Sequence, residues 1–219
     1  MKIELDFNET RVLGVMLEKE KTTPDQYPMS LNALMVGCNQ KSNREPVVVF
    51  DESQVQETVD ALIKKHFIIE CTGSGSRVPK YRQRFANTEF SSLQLSEQEV
   101  ALLCVLFLRG AQTPGELRTR TARLTDFNDA IEVEKTLQDL SSRPEQAFIA
   151  KLPREAGRRE SRFMHLLSGE LDVAIAPPIV ASDEQGAAES SGEEIKHLRE
   201  EVDALRQELN EIKAQLGID

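Results

Sequence analysis

Hydrophobic residues recur at helical spacing in two stretches of the chain. Asn8 is the expected cap of a helix that runs to about Lys19, with apolar residues along one face. Ser96 begins a second such helix, in which Glu99 closes a capping box before an apolar run to Leu108. A turn containing Thr-Pro follows each helix. The two stretches therefore open with the same pattern.

The repeated pattern continues in each half as far as a hairpin. Ser30 and Thr113 are the expected caps of short second helices. Residues 55–62 and 133–140 match most closely, because Val, Thr and Leu occupy equivalent positions in two amphipathic segments. Two β-prone runs complete each half, at 67–69 and 81–85 in the first and at 148–150 and 162–167 in the second. The predicted order is helix, helix, helix, hairpin, and it occurs twice.

This order of elements resembles the winged-helix fold. Residues 51–70 look like the third helix and first wing strand of MarR-like regulators. The sequence therefore predicts an α+β fold, mainly α, built from two tandem winged-helix modules. We place the first module at residues 1–88 and the second at residues 89–171.

The character of the sequence changes after residue 171. Residues 180–194 are rich in Ala, Ser, Gly, Asp and Glu and offer almost no large apolar groups to offset the entropy of ordering. Residues 172–194 are therefore predicted to be a flexible linker.

A heptad pattern occupies residues 195–219. Glu at the g positions and Arg or Lys at the e positions would attract each other across a parallel pair of helices, whereas an antiparallel pair would bring like charges together. The pattern predicts a C-terminal coiled-coil helix and a parallel homodimer, with a single amphipathic helix packed on the body as the alternative. The predicted dimer contacts are Ile195, Leu198, Val202, Leu205, Leu209, Ile212 and Leu216.

Charge is unevenly distributed along the 219 residues. The net charge is −10, but residues 181–219 hold 11 acidic and 4 basic residues, so the body before them is nearly balanced. The low pI therefore says little about the partners of the body. With 39% hydrophobic residues and 5% aromatics, small cores are expected, and a membrane protein or disulfide scaffold is excluded.

The cysteines and the lengths of the apolar runs indicate the cellular compartment. Cys38, Cys71 and Cys104 are odd in number and far apart, which predicts free thiols and no zinc site. The start of the chain has no apolar core of signal-peptide length, and the longest apolar run, 100–108, is about half of what a bilayer needs. We expect a cytoplasmic protein that does not enter a membrane.

Few residues suggest catalysis. His66, His165 and His197 are the only histidines, and none stands at a recognisable spacing from a nucleophile and a carboxylate. The Gly-Ser repeat at 73–76 lacks the Lys-Ser/Thr ending and the following helix of a phosphate-binding loop. The sequence predicts a protein that is not an enzyme and holds no cofactor and no metal.

Cations are concentrated in the two predicted hairpins. Residues 71–88 carry a net charge of +4 and residues 151–162 carry +3. In a strand the cations at 80, 82 and 84 share one face, while Tyr81 and Phe85 pack inward. Such cations suit phosphate backbones, although a solvated, edge-protecting face is the alternative. The predicted phosphate contacts are Arg77, Lys80, Arg82, Arg84, Arg158, Arg159 and Arg162.

The predicted third helices are poorly suited to enter DNA. Residues 51–65 carry a net charge of −2 and residues 126–140 carry −4. Carboxylates facing phosphates would offset what the hairpins gain, so sequence-specific reading by these helices is not expected. The polar loop 38–46 is a further candidate, from which Lys41, Asn43 and Arg44 would reach a groove. Its alternative is a connector whose amides cap helix ends and turns.

One group of proteins shares specific residues with this chain. Residues 30–34, the loop 38–44 and the stretch 50–52 resemble the YceH-like family of uncharacterised bacterial proteins, over about residues 5–170. That family is similar to tandem winged-helix proteins, so the resemblance supports the fold and implies no activity.

The expected function is association with nucleic acid, with DNA as the expected target, low sequence specificity and a regulator-like role. The alternative is a protein–protein adaptor, similar to condensin-accessory proteins of the ScpB type, because acidic third helices and an acidic tail suit a basic partner.

Overall fold

The structure is a computed structural model that describes residues 2–71, 78–89, 91, 93–155, 157 and 160–168. All of these residues belong to one compact unit, residues 1–171. The predicted linker and heptad helix lie outside the described residues, as do Arg77, Arg158 and Arg159. The dimer contacts from Ile195 to Leu216 therefore stay predictions.

The described residues form a mainly helical α+β fold, as predicted. The helices are α1 (Phe7–Thr22), α2 (Leu31–Cys38), α3 (Glu52–Lys64), α4 (Glu97–Arg109), α5 (Pro114–Thr121) and α6 (Ala130–Ser141). The strands are β1 (Met29–Ser30), β2 (Ile68–Cys71), β3 (Lys80–Gln83), β4 (Ile149–Lys151) and β5 (Phe163–His165), and a 3₁₀ turn spans Pro24–Gln26. Three helices precede the hairpin in each half.

Side-chain caps begin all six α-helices of the described residues, and one predicted cap is wrong. Helix α1 starts at Asp6 rather than Asn8, because the Asp6 carboxylate accepts from the N–H of Glu9 at 2.8 Å while the Glu9 carboxylate accepts from the N–H of Asp6 at 2.7 Å. This reciprocal pair satisfies two N–H groups at once, which Asn8 cannot do. The predicted caps Ser30, Ser96 and Thr113 are confirmed.

The two halves build small antiparallel sheets of different size. In the first, β3 lies between β1 and β2, with Tyr81 opposite Met29 on one side and Glu70 on the other. In the second, β4 pairs with β5, and an isolated bridge joins Gln112 to Phe163. That bridge stands just before α5, as β1 stands just before α2. The two-residue strand β1 is too short to produce a periodic pattern, so the sequence did not predict it.

Helices α1 and α4 form the centre of the unit. Residues 9–18 of α1 and 101–108 of α4 are buried without interruption. The helices approach closely at Gly14, where a Cβ atom would lie 2.9 Å from the Leu108 side chain, and the Cys104 thiol donates to the Gly14 carbonyl at 3.4 Å. The two halves therefore share one hydrophobic core.

None of the described helices has the length and apolarity to cross a membrane. The three thiols are free, with Cys38 and Cys104 buried and Cys71 half-buried. Burial raises the pKa of Cys38 to about 12, so this thiol stays protonated near neutral pH. Within the described ranges, no three His, Cys, Asp or Glu side chains are grouped closely enough to hold a metal ion.

Candidate nucleic-acid interface

The hairpin of the first half presents two cations to solvent. Exposure alternates along β3, with Lys80 and Arg82 exposed and Tyr81 and Gln83 buried. This is the predicted alternation, and it follows from the two-residue repeat of a strand that packs one face on the core. Phe85 is also buried, as predicted. Lys80 and Arg82 are therefore available to a phosphate backbone.

Arg84 does not share this open face, which corrects the prediction. The strand has ended before Arg84, whose backbone N–H donates to the Phe67 carbonyl at 2.7 Å. Its half-buried side chain lines a cavity of about 220 Å³ at the base of the hairpin, together with Phe67, Phe85 and Phe148. Burial beside this cavity distinguishes Arg84 from the exposed cations two and four residues earlier.

The hairpin of the second half is less open. Lys151 and Arg154 are exposed, with the Lys151 ammonium 5.7 Å from the centre of the Phe163 ring. Arg162 is half-buried and pairs with Glu155 at 3.8 Å, so most of its guanidinium is enclosed. Arg162 is therefore less open than the prediction of a phosphate contact assumes, and that role stays a prediction. Arg158 and Arg159, the other predicted contacts here, remain untested.

The loop between α2 and α3 is a structural connector, and this corrects the prediction for Arg44. The Arg44 guanidinium is buried, donating to the fully buried Glu18 carboxylate at 2.6 and 3.0 Å and to the Gly37 carbonyl at 3.1 Å. The Asn39 side chain also fixes the end of the loop. Its amide accepts from the Phe50 N–H and donates to the Phe50 carbonyl, both at 2.8 Å. Arg44 therefore neutralises a core carboxylate and does not reach a groove.

Glu18 gathers cations from both halves. Besides Arg44, it is paired with Lys19 at 3.3 Å and with Arg123, which follows α5. Burial alone would raise the pKa of Glu18, but the hydrogen bond from Arg44 and the charges of Arg44, Arg123 and Lys19 outweigh it and hold the pKa below its usual value. The carboxylate therefore stays ionised inside the protein.

Further arginines surround this ion cluster toward the surface. Arg109 donates to the Asn43 side-chain carbonyl at 3.4 Å. Burial and the positive charges of Arg120 and Arg123 lower the pKa of Arg109, although Glu45 and Glu116 partly offset this. Arg120 is half-buried and pairs with Glu116 at 3.7 Å. Exposed Lys41 stands two residues from Asn43. We call Lys41, Asn43, Arg109, Arg120 and Arg123 the junction patch, since it joins residues of both halves.

The second-half members of this patch were not predicted from the sequence. Residues 109–123 hold four arginines and one glutamate, a net charge of +3 that equals the charge of the second hairpin. That concentration of charge can be recognised in the sequence. The position of this segment beside Asn43 cannot, because the contact between Arg109 and Asn43 joins residues 66 positions apart.

The third helices expose carboxylates, as expected. Asp51, Glu52, Glu57 and Asp60 are exposed at or along α3. Asp129, Glu134 and Asp139 are exposed at or along α6. Both helices therefore present negative charge on the faces that are free of the core.

Comparisons with known proteins identify the family. The profile of a family described as "Protein of unknown function, DUF480" matches residues 5–158. The chain is 54% identical over 218 residues to a UPF0502 protein of Pectobacterium atrosepticum, covering 99% of this chain and 98% of the relative. It is 53% identical over 216 residues to a UPF0502 protein of Vibrio parahaemolyticus, with coverage of 99% and 98%.

A third relative carries the name that the sequence resemblance predicts. The UPF0502 protein YceH of Salmonella paratyphi B is 48% identical over 215 residues, which cover 96% of this chain and all of the relative. The resemblance to the YceH-like family is confirmed, and the chain belongs to the UPF0502 family.

Proposed function

We propose that this protein is a non-enzymatic nucleic-acid-associating protein, with DNA as its target, that holds phosphate backbones with little reading of sequence. Lys80 and Arg82 of the first hairpin and the cations of the junction patch make the contacts. The observation that carries the proposal is the outward face of β3, where Lys80 and Arg82 are exposed while Tyr81 and Gln83 are buried. Clustered cations of this kind release counterions when they meet phosphates.

We further propose that each half is a winged-helix module. In the first half, the sheet order β1-β3-β2 with three preceding helices supports this assignment. In the second half, the bridge from Gln112 to Phe163 stands in the place of the pairing of β1 with β3. In this assignment α3 and α6 would be the groove-reading helices. Their exposed carboxylates oppose entry into DNA, which is why contact falls to the hairpin and the junction patch.

A parallel homodimer through residues 195–216 completes the proposal. Two copies would present two junction patches and two first hairpins to one duplex, so weak contacts would act together. Removal of residues 190–219 followed by a mass measurement in solution tests this part by itself, since a dimer that persists shows that another surface joins the copies.

The test of nucleic-acid association is binding to a labelled duplex across a salt series. The chain is compared with a Lys80→Ala/Arg82→Ala variant and a Lys41→Ala variant. Each substitution removes about one phosphate contact, so the slope of log K against log salt should become shallower by about 2 in the double variant and by about 1 in the single variant. A chain that shows no salt-sensitive binding would remove the proposal.

A matched control separates specific contacts from loss of net charge. Lys64→Ala/Lys135→Ala also removes two exposed lysines, but from the third-helix segments that carry exposed carboxylates. Its salt slope should equal that of the unmodified chain. A slope of the control as shallow as that of the Lys80→Ala/Arg82→Ala variant would show that only overall charge matters, and the basic surfaces would then have no special role.

The alternative function, an adaptor that binds a basic protein partner, is favoured by the acidic exposed faces of α3 and α6 and by Ile131, which is 75% exposed on α6. Capture experiments with nuclease-treated lysate distinguish the two functions. Partners retained after nuclease treatment support the adaptor, and partners lost on treatment support nucleic-acid association.

A further inference from the structure

Residues 46–50 form an exposed apolar run that the proposed nucleic-acid interface does not use. Val47 is 53% exposed and Val49 is 89% exposed, whereas Val48 is half-buried and Phe50 is buried. This alternation is that of a strand with one face against a protein body. The segment nevertheless belongs to neither sheet of the described residues.

One side of the segment's backbone is bonded to the body. The Pro46 carbonyl accepts from Nη2 of the buried Arg11 at 2.7 Å, and both backbone groups of Phe50 are bonded to the Asn39 amide. In an extended chain the N–H and carbonyl of every second residue point to the same side. The backbone groups of Pro46 and Phe50 therefore face the body, and those of the two exposed valines face away from it.

The side that faces away has no partner. Among the residues that the structure describes, none makes a hydrogen bond to the backbone N–H or carbonyl of Val47 or Val49. An exposed strand of this kind is a template for pairing with another chain, and proteins usually protect such an edge with charged residues or cover it. Residues 46–50 contain no charged residue.

The surroundings of this edge are acidic. Phe7, which is 45% exposed, lies against Phe50 with the ring centroids 6.5 Å apart. The exposed carboxylates of Asp6, Asp51 and Glu52 flank these two rings in sequence, whereas the Arg11 guanidinium, 5.4 Å from the centre of the Phe7 ring, is buried. Pairing with a second copy of the same edge would bring these carboxylates toward each other, and like charges repel. A strand that carries cations is the complementary occupant.

We propose that residues 46–50 bind an extended segment of a partner protein in which Lys or Arg alternates with apolar residues. The segment adds a strand to the free edge, so that its backbone pairs with the N–H and carbonyl groups of Val47 and Val49. Its apolar side chains pack on the exposed valines and Phe7, and its cations lie near Asp6, Asp51 and Glu52. This surface uses none of the residues of the junction patch and does not depend on nucleic-acid binding.

The experiment uses the full chain and a fluorescein-labelled, capped peptide of sequence Lys-Val-Lys-Val-Lys-Val. The expected result is saturable binding, measured by fluorescence anisotropy, with slower amide hydrogen exchange in residues 46–50 when the peptide is bound. A Glu-Val-Glu-Val-Glu-Val peptide should bind at least tenfold more weakly, because its charge matches that of the rim.

Two controls isolate pairing at the edge. A peptide methylated at alternate backbone nitrogens cannot donate to an edge strand and should bind at least tenfold more weakly. Val49→Lys should weaken binding of the unmethylated peptide by at least tenfold. Val36→Lys makes the same substitution at a valine on α2 that is 56% exposed, and it should change binding by less than twofold.

Four results would overturn the proposal. The first is no binding of the Lys-Val peptide, and the second is equal binding of its methylated form. The third is an equal loss in the Val36→Lys and Val49→Lys variants, which would place the peptide elsewhere. The fourth is a lower oligomeric mass in Val49→Lys, which would show that a second copy of this chain covers the edge.

Discussion

The two hairpins occupy equivalent places in their halves but hold different polar residues. In β3, the buried Gln83 is fully engaged, because its amide donates to Glu20 at 3.0 Å and to the Ala86 carbonyl at 3.1 Å and accepts from the Ala86 N–H. In β5, the corresponding residue is His165, which is buried against Phe107 with no hydrogen-bond partner on Nδ1. Gln83 in the first half is therefore hydrogen-bonded, whereas the Nδ1 atom of His165 in the second half is not.

The outward faces differ in the same way. Arg82 is exposed on β3, whereas the equivalent position on β5 is the half-buried Met164. The element order repeats because helices and strands need only the same apolar positions to form one core. Polar and charged positions are not bound by that requirement. The repeat therefore predicts the architecture of the second half better than it predicts its surface.

The largest expected effect comes from the ion cluster that ties the halves together. Glu18→Gln leaves Arg44 buried without its anion and removes the partner of Arg123, so we expect the free energy of unfolding to fall by about 3–5 kcal/mol. Urea unfolding measures this loss. The control is Glu97→Gln, whose exposed pair with Lys21 should leave the unfolding midpoint unchanged. A loss no larger than that of the control would show that the cluster does not join the halves.

The unequal buried residues predict a pH effect of intermediate size. Burial lowers the pKa of His165 to about 4 from 6.5, so the unfolded chain takes up a proton at a higher pH than the folded chain. Stability is therefore complete above about pH 6.5 and decreases as the pH falls toward 4, by about 3 kcal/mol in total.

Replacement of His165 by Gln, the residue of the first half, should remove this part of the pH dependence. Urea unfolding between pH 7 and pH 4 measures it as a difference in slope between the two proteins. His66→Asn changes an exposed histidine of the first half with a φ of +62°, which Asn tolerates, and it should retain the slope of the unmodified chain. An identical slope in the His165→Gln variant would contradict the assignment of the effect to this residue.

The smallest expected effect tests how tightly the halves are packed. Gly14→Ala places a Cβ atom 2.9 Å from Leu108 and 3.1 Å from Phe107, so α1 and α4 must separate slightly, at a cost of about 1–3 kcal/mol. Gly115→Ala is the control, because its Cβ atom would meet only the Glu160 carboxylate at 3.9 Å. Thermal unfolding should show a lower melting temperature for the first variant and no decrease for the second. Equal melting temperatures would mean that α1 and α4 accommodate the added methyl group without loss of stability.

Local features of the structure were predictable wherever the cause lies within a few residues. The caps at Ser30, Ser96 and Thr113 and the alternation of β3 follow from sequence spacing alone. The error at the start of α1 has a local cause as well, since Asp6 with Glu9 makes a better capping box than Asn8. Strand β1 was missed because its only reason to be extended is the pairing with β3.

The availability of the candidate site residues was not predictable. The spacing of cations on a strand places Arg82 correctly but also predicts an open Arg84, which is half-buried beside a cavity. Arg162 is half-buried beside Glu155, a pairing that the spacing of cations does not reveal. Pattern identifies where cations are concentrated, and packing determines which of them remain open to solvent.

The sequence by itself determined the order of the elements, the faces they bury and the family, because each depends on residues close together in the chain. The tertiary structure alone decided that Arg44 is a core residue and that Arg123 of the second half pairs with Glu18 of the first. The physical reason is the buried carboxylate of Glu18, which requires cations wherever the fold can supply them. Arg44 is 26 positions from Glu18 in the chain, and Arg123 is 105 positions from it.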